Sequence, residues 1–183
     1  GGDTSDGSNW SSAAGACGVA GGAGVPGGTD VAIFQNNCDN EATVDAAFTI
    51  GTLEFQSGYA STVTPDAAIT IDVNGGYTQA GGELDLSANN ADIVIGGNTS
   101  NTGGTFTAGT GSKTFDGTLN LSVNAGTNLG DIVISASPNN AVTLLSDIVA
   151  DTLTIGTGDS LITDGYEVNS IDDVDINGTI NAA

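Results

Sequence analysis

Twenty-two carboxylates and one amine, Lys113, are all the ionisable side chains that acid–base chemistry could use, apart from two cysteines and three tyrosines; there is no histidine. Carboxylates alone can cleave a glycosidic bond, with one as acid and a second as base or nucleophile at a set separation. The candidates for such a pair are Glu54, Asp72, Glu83, Asp85 and Asp116. Each falls on a polar position of an alternating apolar/polar run, with no cationic cluster nearby to bind an acidic sugar, so they read as solubilising surface charge and the chain as non-enzymatic. Mechanisms that need a histidine base, an arginine clamp or a phosphate-binding lysine are excluded. The net charge of −21 repels phosphate, which excludes nucleic acid as a partner.

Oxygen ligands are also the ligands of calcium. Asp173-Val-Asp175-Ile-Asn177-Gly178 matches the first half of a calcium loop, D-x-D-x-N-G, in which alternate side-chain oxygens face one ion. The alternation of Val174 and Ile176 describes a strand equally well, and then the acids are simply its outer face. Calcium is therefore an expected cofactor only in so far as a divalent cation relieves self-repulsion. The two cysteines, Cys17 and Cys38, lie close together in sequence, and no histidine or third cysteine could complete a metal site with them. The spacing predicts a disulfide, which would contribute about 3 kcal/mol by closing its loop. Four Asn-x-Ser/Thr triplets, at Asn9, Asn98, Asn120 and Asn177, are competent for N-glycosylation.

The elements that must carry these groups are strands. With 183 residues the chain can bury one real core, and its 38% apolar residues are mainly Val, Ile, Leu and Ala. No apolar run approaches the length of a membrane span. The lack of an initiating Met and of a basic-then-apolar leader reads as a mature, secreted form. Residues 1–42 hold both cysteines, Trp10 and a Gly-rich stretch, and are expected to form an irregular N-terminal cap. From residue 43 to 183 the pattern becomes short period-2 runs between Gly, Asn and Asp: Leu53/Phe55, Ile69/Ile71/Val73, Leu84/Leu86, Ile93/Ile95, Leu119/Leu121/Val123, Ile132/Ile134, Leu153/Ile155 and Val174/Ile176. Asp92-Ile-Val-Ile recurs as Asp131-Ile-Val-Ile, and segment starts at Ala91, Gly104, Gly117 and Gly130 are 13 residues apart.

A unit that short cannot bury its own apolar face, and stacking successive units is the economical solution. The expected fold is all-β: a short β-solenoid behind a disulfide-stapled cap, with a β-sandwich as the alternative. Rows such as Thr105/Thr107 and Thr152/Thr154 suggest an ice-binding face, but they are interrupted by Glu54, Asp85 and Asn120, and outward threonine is ordinary in strands.

The segments Asn9-Trp-Ser-Ser, Val25-Pro-Gly-Gly-Thr-Asp-Val-Ala-Ile-Phe34 and Ala42-Thr-Val-Asp45 give the chain a family likeness, and so do Tyr77-Thr-Gln-Ala-Gly-Gly82 and Gly104-Thr-Phe-Thr-Ala-Gly-Thr-Gly-Ser-Lys-Thr-Phe-Asp-Gly117 further on. It resembles secreted prokaryotic surface proteins of the right-handed β-helix, adhesin-like kind. The resemblance implies an extracellular or cell-surface location and a structural or adhesive role.

The resulting expectation is an extracellular structural subunit that self-assembles into a fibre or sheath, its partner being further copies of itself. Adhesion to a glycan or surface is the alternative. The run Val174-Asp-Ile-Asn-Gly-Thr-Ile180 offers no polar C-terminal cap, so an open last rung around Val174, Ile176 and Ile180 is expected to stack on the N-terminal portion of a neighbour, near Val31, Ile33 and Phe34.

Overall fold

The computed structural model describes residues 2–12, 24–135 and 139–182. Its strand pairings are all parallel. Parallel pairing between strands this short, without crossover helices, requires the chain to wind in one sense, and it does so for about seven turns as a β-solenoid. The sandwich alternative falls with that topology.

Two sheets form the wall. One has seven strands, each a turn above the last: β4 (Phe48–Ile50), β7 (Thr70–Val73), β9 (Asp92–Ile95), β11 (Ser112–Phe115), β13 (Asp131–Ile134), β15 (Ile148–Ile155) and β17 (Val168–Ile176). The other has eleven: β1 (Gly2–Asp3), β2 (Val31–Phe34), β3 (Ala42–Val44), β5 (Thr52–Phe55), β6 (Thr62–Pro65), β8 (Tyr77–Asp85), β10 (Thr99–Thr107), β12 (Leu119–Ser122), β14 (Ala141–Leu144), β16 (Ser160–Ile162) and β18 (Thr179–Asn181). Strand β8 pairs through residues 77–79 with β5 and through 83–84 with β6, so the larger sheet bends around a corner. Short 3-10 turns at Gly7–Asn9 and Asn36–Cys38 are the helical segments among the described residues.

The register shows why the 13-residue spacing is not the stacking interval. In the seven-stranded sheet Phe48 pairs with Ile71, Ile71 with Ile93, Ile93 with Lys113, Lys113 with Ile132, Ile132 with Leu153 and Leu153 with Val174. Successive turns are thus separated by 19 to 23 residues. Asp92 and Asp131 stand two turns apart in one sheet, and the 39 residues between them hold three 13-residue steps from corner to corner. Each turn of variable length is adjusted in its corners, while strands keep their alternation.

Alternation places one set of side chains inside. The inward column just traced runs beside a second, Ile50, Val73, Ile95, Phe115, Ile134, Ile155 and Ile176, and every member before the last is buried. Outward, the column Thr70, Asp92, Ser112, Asp131, Thr152, Asp173 alternates hydroxyl and carboxylate. Ser112 donates from N and Oγ to Asp92 Oδ1, and Thr152 Oγ1 donates to Asp131 Oδ1. Carboxylates one turn apart would lie about 4.8 Å from each other; interposing a hydroxyl doubles that and gives each acid a donor. Glycine is needed where corners stack: a Cβ on Gly117 would lie 2.2 Å from the carbonyl oxygen of Gly96 one turn below.

Strand β2 stacks in register on β5, with Ala32 fully buried, which carries the stacking upstream of residue 43.

Candidate functional site

The two ends of the stack differ. At the N-terminal end Trp10 lies over the first turn, stacked on Phe48 at 5.8 Å between ring centroids and edge-on to Phe34 at 5.9 Å. Its Nε1 donates to the carbonyl of Thr4 at 2.9 Å, and Ser5 donates from both N and Oγ to Asp45. Those bonds hold the Asp45 carboxyl below the usual carboxylate range, the Ser5 hydroxyl having the largest effect. Strand β1 pairs with β3, so residues 2–12 are fastened over the core by backbone, indole and carboxylate together.

At the other end the inward columns run out uncovered. Val174 and Ile176 are 45% and 46% exposed, whereas Leu153 and Ile155, which occupy the same columns one turn earlier, are buried. Ile180 of β18 is 41% exposed above the fully buried Leu161. These three residues, expected from sequence to form an open rung, are brought together on the last described turn. Their expected counterparts are not a single surface: Val31 and Ile33 point outward and are 51% and 39% exposed, while Phe34 turns inward against Phe55 and Tyr59 at 5.0 and 5.7 Å.

Asp173, Asp175 and Asn177 are exposed along β17 and the turn after it; Asn177 Nδ2 donates to Asp175 Oδ1 at 3.0 Å, and Asp173 Oδ1 accepts from the N–H of Val174. Extended backbone sets alternate residues roughly 7 Å apart on one face, so the two carboxylates lie side by side on the outer wall. Among the described residues no cluster of three or more His, Cys, Asp or Glu side chains converges. Asn9, Asn98, Asn120 and Asn177 are all exposed, although Asn9 donates to the Asp3 carbonyl and Asn98 accepts from the N–H of Asn120. Cys17 lies outside the described residues, and the Cys17–Cys38 staple and the disulfide-stapled cap lie outside them with it. The carboxylates weighed as a glycosidase pair are spread over both sheets and a corner: Glu54 on β5, Glu83 and Asp85 on β8, Asp72 on β7, and Asp116 just after β11. Glu83 accepts from Thr62 and Thr107, and Asp85 from Ser87.

Two features were not expected from sequence. A shallow trough of about 300 Å³ runs along the outside of the larger sheet, lined by Glu54, Gln56, Ser57, Thr78, Ser100 and Thr102. And Lys113, the one cation, is in the core, 1% exposed, in the inward column between Ile93 and Ile132. Its Nζ donates to the carbonyls of Ala108 at 2.7 Å, Gly109 at 3.2 Å and Gly111. An ammonium has three N–H donors, and all three are used on the corner that precedes its own strand. Burial pulls its pKa down; Asp131, Asp151 and Asp92 oppose that shift. The signal was present: Ser112-Lys-Thr-Phe aligns with Asp92-Ile-Val-Ile, which gives Lys113 an inward position.

The fold therefore defines the class: a parallel β-solenoid, closed over its first turn by Trp10, with apolar side chains exposed on its last described turn. Comparison with protein-family models, curated proteins and solved structures finds no match.

Proposed function

We propose that the chain is an extracellular structural protein, non-enzymatic, which lengthens by head-to-tail strand stacking into a fibre or sheath. The supporting observation is the last described turn, where Val174, Ile176 and Ile180 are exposed in columns that are buried one turn below. A parallel rung placed there would bury these side chains and pair the outer edges of β17 and β18, as each turn does for the one before it. A second copy of the chain supplies that rung. A contact between unlike ends does not close on itself unless its rotation completes a ring, so it propagates. The acidic surface supports a location where calcium or salt can screen it; association between copies of charge −21 is expected to strengthen with either.

Negative-stain microscopy of the purified chain tests this directly. Filaments are expected, with loss of filaments and retention of a β-rich monomer in the Ile176→Pro/Ile180→Pro variant. Filaments that survive the double substitution would contradict the reading.

An adhesion module is the second reading, and the trough favours it. Hydroxyls of Thr78 and Ser100 on adjacent turns, with Glu54 below them, offer donors and acceptors at the stacking interval, as a glycan would need. A glycan array that returned a defined ligand for a strictly monomeric chain would put this reading first.

A further inference from the structure

Five Asp-Gly or Asn-Gly pairs occur in the chain: Asp6-Gly7, Asn74-Gly75, Asp116-Gly117, Asp164-Gly165 and Asn177-Gly178. In such a pair the glycine nitrogen can attack the side-chain carbonyl carbon of the residue before it, because no Cβ on the glycine hinders closure of the five-membered ring. In a free chain asparagine closes it faster, since ammonia leaves an amide more readily than water leaves a carboxyl group. The fold reverses that order. The Gly75 N–H is donated to the carbonyl of Gly51 at 2.7 Å and the Gly178 N–H to that of Ile155 at 3.0 Å, so both asparagine pairs have their nucleophile engaged. Their amides are held as well, Asn74 Nδ2 by the carbonyl of Gly28 and Asn177 Nδ2 by Asp175. The Asp6 carboxylate accepts from the N–H of Ser8, and Gly117 is packed against the turn below.

Asp164-Gly165 differs from the other four in every respect. It is exposed, at the corner between β16 and β17, where the N–H of Tyr166 donates to the carbonyl of Thr163 at 2.8 Å and closes a tight turn. Both central residues are left-handed, with φ of +47° at Asp164 and +85° at Gly165, a conformation unfavourable for a residue that carries a Cβ. Among the described residues no hydrogen bond engages the Gly165 N–H or the Asp164 carboxyl. Of the five glycines it is the one on which an added Cβ would meet nothing within 4 Å, so the ring has room to form.

We propose that Asp164-Gly165 is a site of spontaneous covalent modification, at which the folded chain passes through a succinimide to an isoaspartyl linkage while the two asparagine pairs are spared. In the first step the bond from Gly165 N to Asp164 Cγ forms, and the carboxyl hydroxyl leaves with the N–H hydrogen as water. In the second, solvent water adds to a ring carbonyl. Addition at Cγ restores aspartate; addition at the main-chain carbonyl carbon breaks its bond to Gly165 N, so that the chain runs on through Cγ and the main-chain carboxylate is set free. The product keeps its negative charge and lengthens the corner into β17 by one backbone carbon.

Incubation of the folded chain in oxygen-18 water, followed by peptide mass spectrometry, tests the assignment against the same chain in urea. Each passage through the ring brings a solvent oxygen into the carboxyl group. Heavy oxygen and an isoaspartyl peptide are expected at Asp164 at a rate within about tenfold of that in urea, while deamidation of Asn74 and Asn177 is slowed about a hundredfold or more because their corners must first open. No heavy oxygen at Asp164 in folded chain when the urea sample has acquired it, or Asn74 or Asn177 reacting as fast folded as in urea, would overturn the proposal. Asp164→Asn keeps the turn, since asparagine also tolerates left-handed backbone, and is expected to deamidate in the folded chain ahead of Asn74 and Asn177; a persistent amide at that position would equally contradict it.

Discussion

Upstream of Phe106 the core holds rings and amides among its aliphatic side chains; downstream, past Lys113 and Phe115 at the boundary, the buried hydrophobic side chains are aliphatic among the described residues. Ring contacts lead from Trp10 through Phe34, Phe55 and Tyr77 to Phe106, each centroid 5.0 to 6.3 Å from the next. Beyond that point the inward columns read Leu121, Leu144 and Ile132, Leu153, without another ring contact among the described residues. Rings have preferred mutual geometry, so each aromatic turn fits only its own neighbours, and the series finishes on an indole that covers the first turn. Aliphatic turns are near-equivalent and would accept another of the same kind. The difference is between a first described turn covered by an indole and a last described turn whose apolar side chains are exposed.

Substitutions in the two regions are expected to act on different turns. Phe55→Ala removes a ring that touches Phe34, Tyr59 and Tyr77, and is expected to cost about 3–5 kcal/mol, against about 2–5 kcal/mol for Leu144→Ala in the aliphatic half. In a stack whose turns contact only their neighbours, each loss should be local. Hydrogen exchange should show the first substitution opening the early turns and the second opening the last turns; uniform loss in both would mean the two halves are one cooperative unit. Lys113→Met leaves three carbonyls without their donor at the boundary and is expected to cost about 3 kcal/mol in urea unfolding. An unchanged or raised midpoint would show that the ammonium is not what holds that corner.

The aromatic half should respond to alkali through its buried tyrosines. Burial, then Asp39 and Glu41, push the Tyr59 hydroxyl up to about 12, and burial raises that of Tyr77 also. A tyrosine whose pKa is higher folded than unfolded stabilises the fold fully below about pH 10, and that contribution is lost as the pH climbs toward 12. Stability should fall over that window, less steeply in Tyr59→Phe; a Tyr59→Phe profile identical to the parent's would remove Tyr59 from the account. The smallest effect expected is on the outer wall. Ser112→Asp would set three carboxylates, with Asp92 and Asp131, on consecutive turns, costing about 0.5–1 kcal/mol at low salt and less at high salt. A salt-independent cost, read from urea midpoints at the two ionic strengths, would show that repulsion is not its source.

The strands were legible in the sequence because period-2 alternation reports directly on which side chains face inward. Ile71/Val73, Ile93/Ile95, Ile132/Ile134 and Leu153/Ile155 are all inward pairs of one sheet. The stacking interval was not legible, because corners vary in length and the conspicuous 13-residue spacing counts corners rather than turns. Lys113 could be given an inward position by aligning Ser112-Lys-Thr-Phe with Asp92-Ile-Val-Ile, but that it stacks directly between Ile93 and Ile132 follows from the register. Asp173, Asp175 and Asn177 show the limit of a short motif: alternate oxygens suit a calcium loop and an outward strand face alike, and the structure places them along an exposed strand and the turn after it. Trp10 could be seen as unusual, but its position over Phe48 depends on long-range packing that local pattern does not encode.

The claim that the last turn is covered by a stacked rung is tested most directly by residue-resolved hydrogen exchange on the chain at low and high concentration. On assembly the account predicts new protection at the amides of β17 and β18 around Val174, Ile176 and Ile180, with the already buried strands β9 and β13 unchanged. Equal exchange at β17 and β18 in dilute and concentrated samples, in material that microscopy shows to be filamentous, would contradict it.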